Sequence, residues 1–180
     1  MKQSKKILIA NRGVIAIRAL RAARELGYSV ASVYSTIDRD QKHLKLSDEA
    51  ICIGPPETKD SYLNEAAIIS AAELSGADAI YPGFGFLAEN ASFAEKCRES
   101  GFKFIGPDPE VIAIMGDKIK AKELAKSLNI PVVPGYEGEI SNENEAIKIV
   151  EEIGYPAVSY THLRAHETDS YLVCRLLLEK

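Results

Sequence analysis

No run of apolar residues approaches the roughly 20 that a membrane-spanning helix requires. Lys2, Lys5 and Lys6 lead into a β-like stretch, where a secretory segment would carry its apolar core. The chain therefore reads as cytoplasmic. Cysteine is scarce: Cys52, Cys97 and Cys174 are odd in number and far apart, which fits neither a disulfide framework nor a Cys-x-x-Cys zinc site. Cys52 and Cys97 are expected as buried free thiols. Lysine and arginine nowhere cluster, and 22 basic against 26 acidic residues leave a net charge of −4, so there is no electrostatic footprint for nucleic acid. Internal repeats and low-complexity tracts are missing too. What remains is an ordinary globular composition, 46% hydrophobic and 27% charged over 180 residues, sufficient for one domain and part of another. A complete multidomain enzyme would need more.

Lys6-Ile7-Leu8-Ile9-Ala10 is a short, β-branched apolar run, and Asn11-Arg12-Gly13 turns it into a helical pattern. There Ala16, Leu20, Ala23 and Leu26 recur on one face, Arg18, Arg21, Arg24 and Glu25 on the other, and Gly27 supplies the stop. Strands are predicted at 29–34, 50–53, 79–81 and 103–105. Turn chemistry follows the first two, at 35–40 and 54–56. Asn64 is expected to cap a helix to Leu74 ended by Gly76, and Asn90 a helix from Ala91 to Ser100. This βαβ rhythm predicts an open, mostly parallel Rossmann-like sheet with ligands at the carboxyl ends of its strands. Helices follow at 109–115 and 117–128, the second ended near Asn129. A new strand is expected to begin at Pro131-Val132-Val133-Pro134, a helix capped by Ser141 comes next, and Ala157-Val158 opens a further strand. A second domain starts near Asp117.

Three segments are candidate sites. The turn Asn11-Arg12-Gly13 stands where nucleotide-binding α/β proteins keep a phosphate loop, but it lacks the second and third glycines of the dinucleotide fingerprint. A structural turn and a ligand loop remain equal readings. Asp38 could imitate a ribose-binding acid, although a solvated turn cap is the expected role. Pro82-Gly83-Phe84-Gly85-Phe86-Leu87-Ala88-Glu89-Asn90 sets paired glycines at the end of a strand, leaving room for a ligand beside the polar Glu89 and Asn90. Equally, Phe84, Phe86 and Leu87 can be core and Asn90 a plain cap, and both readings can hold together. Lys118 falls in the first turn of a helix, where the macrodipole disfavours a cation and an anionic partner such as phosphate would relieve it. His162 and His166 lie four apart but not in the His-Glu-x-x-His order, so no zinc site is inferred.

Taken in order, Lys6 to Gly13, Asp38-Arg39-Asp40, Tyr81 to Asn90, Phe104-Ile105-Gly106-Pro107 and Met115-Gly116-Asp117-Lys118 resemble the N-terminal part of biotin carboxylases, across residues 5–158. That family includes the biotin carboxylase subunit of acetyl-CoA carboxylase and the equivalent domains of pyruvate and acyl-CoA carboxylases. The resemblance implies an N-terminal α/β domain at 1–116, the beginning of an ATP-grasp domain at 117–158, and a foreign-looking tail at 159–180. It implies a ligase that uses ATP with Mg²⁺ (or Mn²⁺) to activate bicarbonate, then carboxylates biotin on a carrier protein or domain. Lys118 matches the family lysine on the ATP phosphates. Phe84, with Gly83, Gly85 and Glu89, matches the biotin side, and Arg18 with the first helix matches a region near a homodimer interface. A carboxyltransferase partner and a role in fatty acid biosynthesis are implied as well. Val14 departs from the family, which commonly has Glu there.

The larger departure begins at Ser159, where the family continues with a second ATP lysine and a glycine-rich phosphate loop. The last 22 residues contain no Gly and no Pro and resemble translated adaptor or vector sequence. The catalytic residues and metal ligands of the family lie further on, so none is assigned, and the 180-residue chain is expected to be inactive alone while residues 1–116 fold as a unit. Two other readings stand beside this one. A standalone Rossmann-like module binding a small ligand or partner would account for the first domain but not for Met115 to Lys118, and an NAD-dependent oxidoreductase is disfavoured by the missing glycines.

Overall fold

The computed structural model describes residues 5–133, 135–136 and 142–154. Consecutive apolar side chains at Ile7, Leu8 and Ile9 point to alternate sides of the first strand, so both of its surfaces must be covered. Strand β1 (Lys6–Ile9) sends Ile9 toward helix α1 (Gly13–Glu25), where it packs with Ala16, Leu20, Ala23 and Val30. Its neighbour Leu8 points the other way, into a larger cluster with Ala31, Val33, Ile68, Ile80 and Phe93. Strands β2 (Ser29–Ser35), β3 (Glu49–Gly54), β4 (Ala79–Tyr81) and β5 (Lys103–Phe104) complete a sheet ordered β3-β2-β1-β4-β5. Every pairing is parallel, as the βαβ rhythm predicts.

Helix α1 buries Ala16, Leu20 and Ala23 as its periodicity predicts. Leu26 does not join them: it is the C-cap and stands 74% exposed, because the helix has already ended when its turn comes. Sequence reasoning also missed helix α2 (Lys42–Leu46), a five-residue turn of helix too short for a periodic signal. Helices α3 (Glu65–Ser75) and α4 (Ala91–Glu99) carry the expected caps. Asn64 accepts from the Ala67 amide, Asn90 accepts from the Phe93 amide, and Gly76 ends α3 in the left-handed conformation. Cys97 is buried on α4, and burial, helped by the Glu65 charge, pushes its thiol up to about 12. Cys52 corrects the expectation of a buried thiol, since its side of the edge strand β3 faces solvent.

His43 on α2 is fully buried, with Nε2 at 3.4 Å from the Val33 carbonyl and Nδ1 meeting no hydrogen-bond partner among the described residues. Burial holds its pKa below the ordinary 6.5, against the smaller opposing effects of the Val33 carbonyl and the Asp38 charge. The unfolded chain therefore takes up this proton first. The contribution of neutral His43 is whole above pH 6.5 and is lost as pH falls through the lower folded-state value. We expect the urea midpoint to drop between about pH 7.5 and about pH 5.5, and to drop less in His43→Gln.

The chain divides into two compact units, Met1–Ala113 and Ile114–Lys180. Helix α5 (Pro109–Gly116) runs across the division. In the second unit α6 (Lys118–Ser127) is followed by Asn129 in the left-handed conformation, which ends it where the sequence places the stop. Pro131 to Val133 form no strand, contrary to expectation. Helix α7 (Glu143–Ile153) is capped by Asn142, whose side chain accepts from the Glu145 amide. Ser141, the expected cap, lies outside the described residues, as do the strand at 157–158, the tail at 159–180 and His162 and His166.

Candidate functional site: the glycine loop at the β1–β4 crevice

Strand order reverses between β1 and β4, and in such sheets the crevice beyond the carboxyl ends of those two strands is where ligands enter. The Ala10 amide donates to the Tyr81 carbonyl at 2.9 Å, one rung beyond the paired strands, and then the two chains separate. One enters α1 through Asn11, Arg12 and Gly13. The other becomes the loop 82–90.

Asn11 is fully buried between them. Its Nδ2 donates to the carbonyls of Pro82 (2.7 Å) and Phe84 (3.0 Å), while its Oδ1 accepts from the Arg12 amide at 2.8 Å. Both amide hydrogens and the carbonyl oxygen are thus engaged, which is why a polar side chain is tolerated there. Gly83 sits at φ +71°, and a Cβ on it would lie 2.7 Å from Ile15 Cγ2 and 3.0 Å from Asn11 Nδ2. Phe86 also has positive φ, 45°, at a cost of about 1 kcal/mol for a side-chain-bearing residue. Its ring stacks on Tyr62, centroids 4.9 Å apart and 14° between planes, with the Arg12 guanidinium within 6 Å of both.

Beneath these rings lies Asp38, only 4% exposed. Its carboxylate accepts from Tyr62 Oη (2.8 Å), Ser35 Oγ (3.0 Å), Arg12 Nη1 (3.2 Å) and, at 3.4 Å, Gln41 Nε2. Burial pulls the Asp38 carboxyl upward, but Tyr62, Ser35 and the Arg12 charge together outweigh it and hold the group below its ordinary value. Tyr62, buried and donating to that carboxylate, is pushed up to about 12. Asp38 is therefore neither the solvated cap nor the ribose-binding acid considered above. Its oxygens are turned inward to this network. Sequence reasoning assigned Ser35 no role although it lies only three residues before Asp38, and Tyr62 carried no local signal because it is 24 residues away and the parallel pairing of β2 with β3 brings it in.

Of the residues singled out in sequence, Gly83, Phe84, Gly85 and Glu89 share this loop. Phe84 is 69% exposed, whereas Leu87 is buried and Phe86 half-buried, so only part of the core reading of the aromatic residues holds. Asn90 caps α4 and also donates to Glu65 Oε1. An apolar groove borders the loop, lined among others by Val14, Ile15, Arg18, Leu26, Tyr81 and Phe84. Lys118 belongs to the second unit. It is the first residue of α6, half-buried, and Asp117 before it caps the helix by accepting from the Ile119 and Lys120 amides.

The family described as biotin carboxylase, N-terminal domain, matches residues 3–112, and that of the carbamoyl-phosphate synthase L chain, ATP binding domain, matches residues 117–161. Biotin carboxylase 1 of Bacillus subtilis (strain 168) is 53% identical over 154 residues, covering 86% of this chain and 34% of its own. Among solved structures, biotin carboxylase from Campylobacter jejuni in complex with β,γ-ATP is 50% identical with a TM-score of 0.80, over 84% of this chain and 34% of that one. The biotin carboxylase domain dimer of Hydrogenobacter thermophilus 2-oxoglutarate carboxylase, in complex with MgADP, ADP and bicarbonate, is 47% identical with a TM-score of 0.79, over 87% and 34%. The chain spans about a third of the length of the curated relatives it matches. With the five-stranded parallel sheet and its glycine loop in place, these matches fix the family: the chain belongs to the biotin carboxylase N-terminal domain family.

Proposed function

We propose that this chain is part of an ATP-dependent biotin carboxylase, a ligase that activates bicarbonate with ATP and carboxylates biotin on a carrier protein or domain. The observation that carries the reading is the succession, in one chain, of the biotin carboxylase match at 3–112 and the ATP-binding match from 117. We read residues 1–116 as the N-terminal domain and 117–158 as the start of the ATP-grasp domain. ATP, magnesium and bicarbonate are the reactants this reading requires, and the Hydrogenobacter domain was solved with MgADP and bicarbonate. Among the described residues no group of three or more His, Cys, Asp or Glu side chains is arranged for a metal ion, so none is assigned to magnesium.

In this reading Gly83, Phe84, Gly85 and Glu89 face biotin. Support comes from their place at the switch point and from the outward Phe84 ring. The carrier and a carboxyltransferase are the partners, and α1 with Arg18 lies near a homodimer contact. Fatty acid biosynthesis and a cytoplasmic location belong to the same proposal. No described helix is long and apolar enough to cross a membrane. Lys118 binds the ATP phosphates, in a charge-assisted contact worth about 1.5–3 kcal/mol. In a chain completed to the length of its relatives, Lys118→Ala should raise the KM for ATP about tenfold or more. Bicarbonate- and biotin-dependent ADP release by that protein tests the function as a whole. No turnover would overturn it, and an unchanged KM would remove Lys118 from the ATP site.

A further inference from the structure

We propose that Asn11 and Arg12 are positioning residues for the loop 82–86, Asn11 anchoring its first limb and Arg12 its second, so that the Phe84 ring is presented to the crevice. The functional consequence rests on the reading of residues 83–89 as the biotin-facing segment. The loop cannot hold its shape unaided. Gly83, Gly85 and Phe86 all have positive φ, and the hydrogen bonds internal to the loop among the described residues begin only at Gly85, with Ala88 N–H to Gly85 O and Asn90 N–H to Leu87 O. Its first limb, Pro82 to Phe84, is tied instead to a single side chain: both of its outer carbonyls accept from Asn11 Nδ2.

The second limb is held from its side. Arg12 is fixed at its tip by the Asp38 carboxylate, and this anchoring keeps the guanidinium beside the stacked Tyr62 and Phe86 rings. A flat cation against Phe86 opposes its swing out of the strained backbone conformation. Two adjacent residues at the end of β1 therefore set both limbs of a loop that starts at the end of β4, and the residue between the limbs, Phe84, is left outward. Neither side chain is aimed at the crevice itself. Asn11 is wholly enclosed, and Arg12 directs its Nη1 toward Asp38.

The chemistry sets a sharp test. Asn11→Asp replaces a donor to two carbonyls with an acceptor, and Arg12→Gln removes the cation at a half-exposed position while Tyr62 and Ser35 still donate to the Asp38 carboxylate. In the 180-residue chain, the Ala88 and Asn90 amides, which donate the loop's own hydrogen bonds, should exchange with solvent about tenfold faster in either variant, while those of β1, β2 and β4 keep their protection. Unchanged loop exchange, or equal acceleration throughout the sheet, would overturn the proposal. In the completed enzyme, Arg12→Gln should raise the KM for free biotin about tenfold and leave that for ATP within about twofold, a split that general loss of structure would not produce. An equal rise in both constants would overturn it. Should the completed wild-type protein show no biotin-dependent turnover, the proposed function fails, and the exchange measurement still decides whether Asn11 and Arg12 hold the loop.

Discussion

Asp38→Ala is expected to lower the unfolding free energy by about 2–4 kcal/mol, because it strips the acceptor from two buried hydroxyl groups, Tyr62 Oη and Ser35 Oγ, and releases Arg12. Asp38→Asn keeps an acceptor of the same shape and should cost about 1 kcal/mol. Urea unfolding at neutral pH distinguishes the two, and near-equal losses would mean that the charge matters more than the acceptor. The pH dependence follows from the direction of the shift. The folded-state pKa of Asp38 lies below 3.8, so its contribution is whole above that value and is lost as pH falls through the folded-state pKa. The advantage of the wild type over Asp38→Asn should accordingly vanish only in strong acid. Tyr62 acts at the opposite end. Raised from 10.0 to about 12, it contributes fully below pH 10 and loses that contribution as pH climbs toward 12.

The second large effect is expected at Gly83. Alanine there must adopt φ near +71°, which costs about 1–2 kcal/mol, and must place Cβ 2.7 Å from Ile15 Cγ2 and 3.0 Å from Asn11 Nδ2. Neither neighbour yields easily, since Asn11 is fully buried and held by three hydrogen bonds. Relief would come from moving the loop, so we expect a loss of about 2–4 kcal/mol together with a displaced Phe84. Gly85 has the same φ but nothing within 4 Å of an added Cβ. Gly85→Ala should therefore incur the backbone cost alone, about 1–2 kcal/mol. Thermal denaturation of the two variants separates crowding from backbone strain: equal losses would show that the contact with Ile15 and Asn11 is relieved without penalty.

The elements themselves were legible in the sequence wherever the signal is local. The apolar run at Lys6 to Ile9, the period of α1, the caps Asn64 and Asn90 and the stops at Gly76 and Asn129 each act within a few residues, so the sequence carries them directly. So, too, was the position of the glycine loop, because paired glycines after a strand mark a backbone that must turn sharply. The failures share a cause. Leu26 and Cys52 satisfy an apolar pattern yet are exposed, one because its helix has ended and one because its strand lies at the sheet edge. Pro131 to Val133 have strand-like composition, but composition supplies no partner for a ladder, and none forms.

What the sequence by itself determined is the parallel α/β class, the family resemblance and the loop that carries Phe84. Only the tertiary structure decided the surroundings of that loop. Asn11 and Pro82 are 71 residues apart, and Asp38 and Tyr62 24 apart. Asn11 meets Pro82 because β1 pairs with β4, and Asp38 meets Tyr62 because β2 pairs with β3; with β1 also beside β2, the carboxyl ends of four parallel strands share one edge of the sheet. A carboxylate read from sequence as a solvated turn residue becomes there a buried acceptor. Burial and hydrogen bonding depend on what the fold stacks above a residue, and that is set by long-range strand order, which no local pattern of side chains encodes.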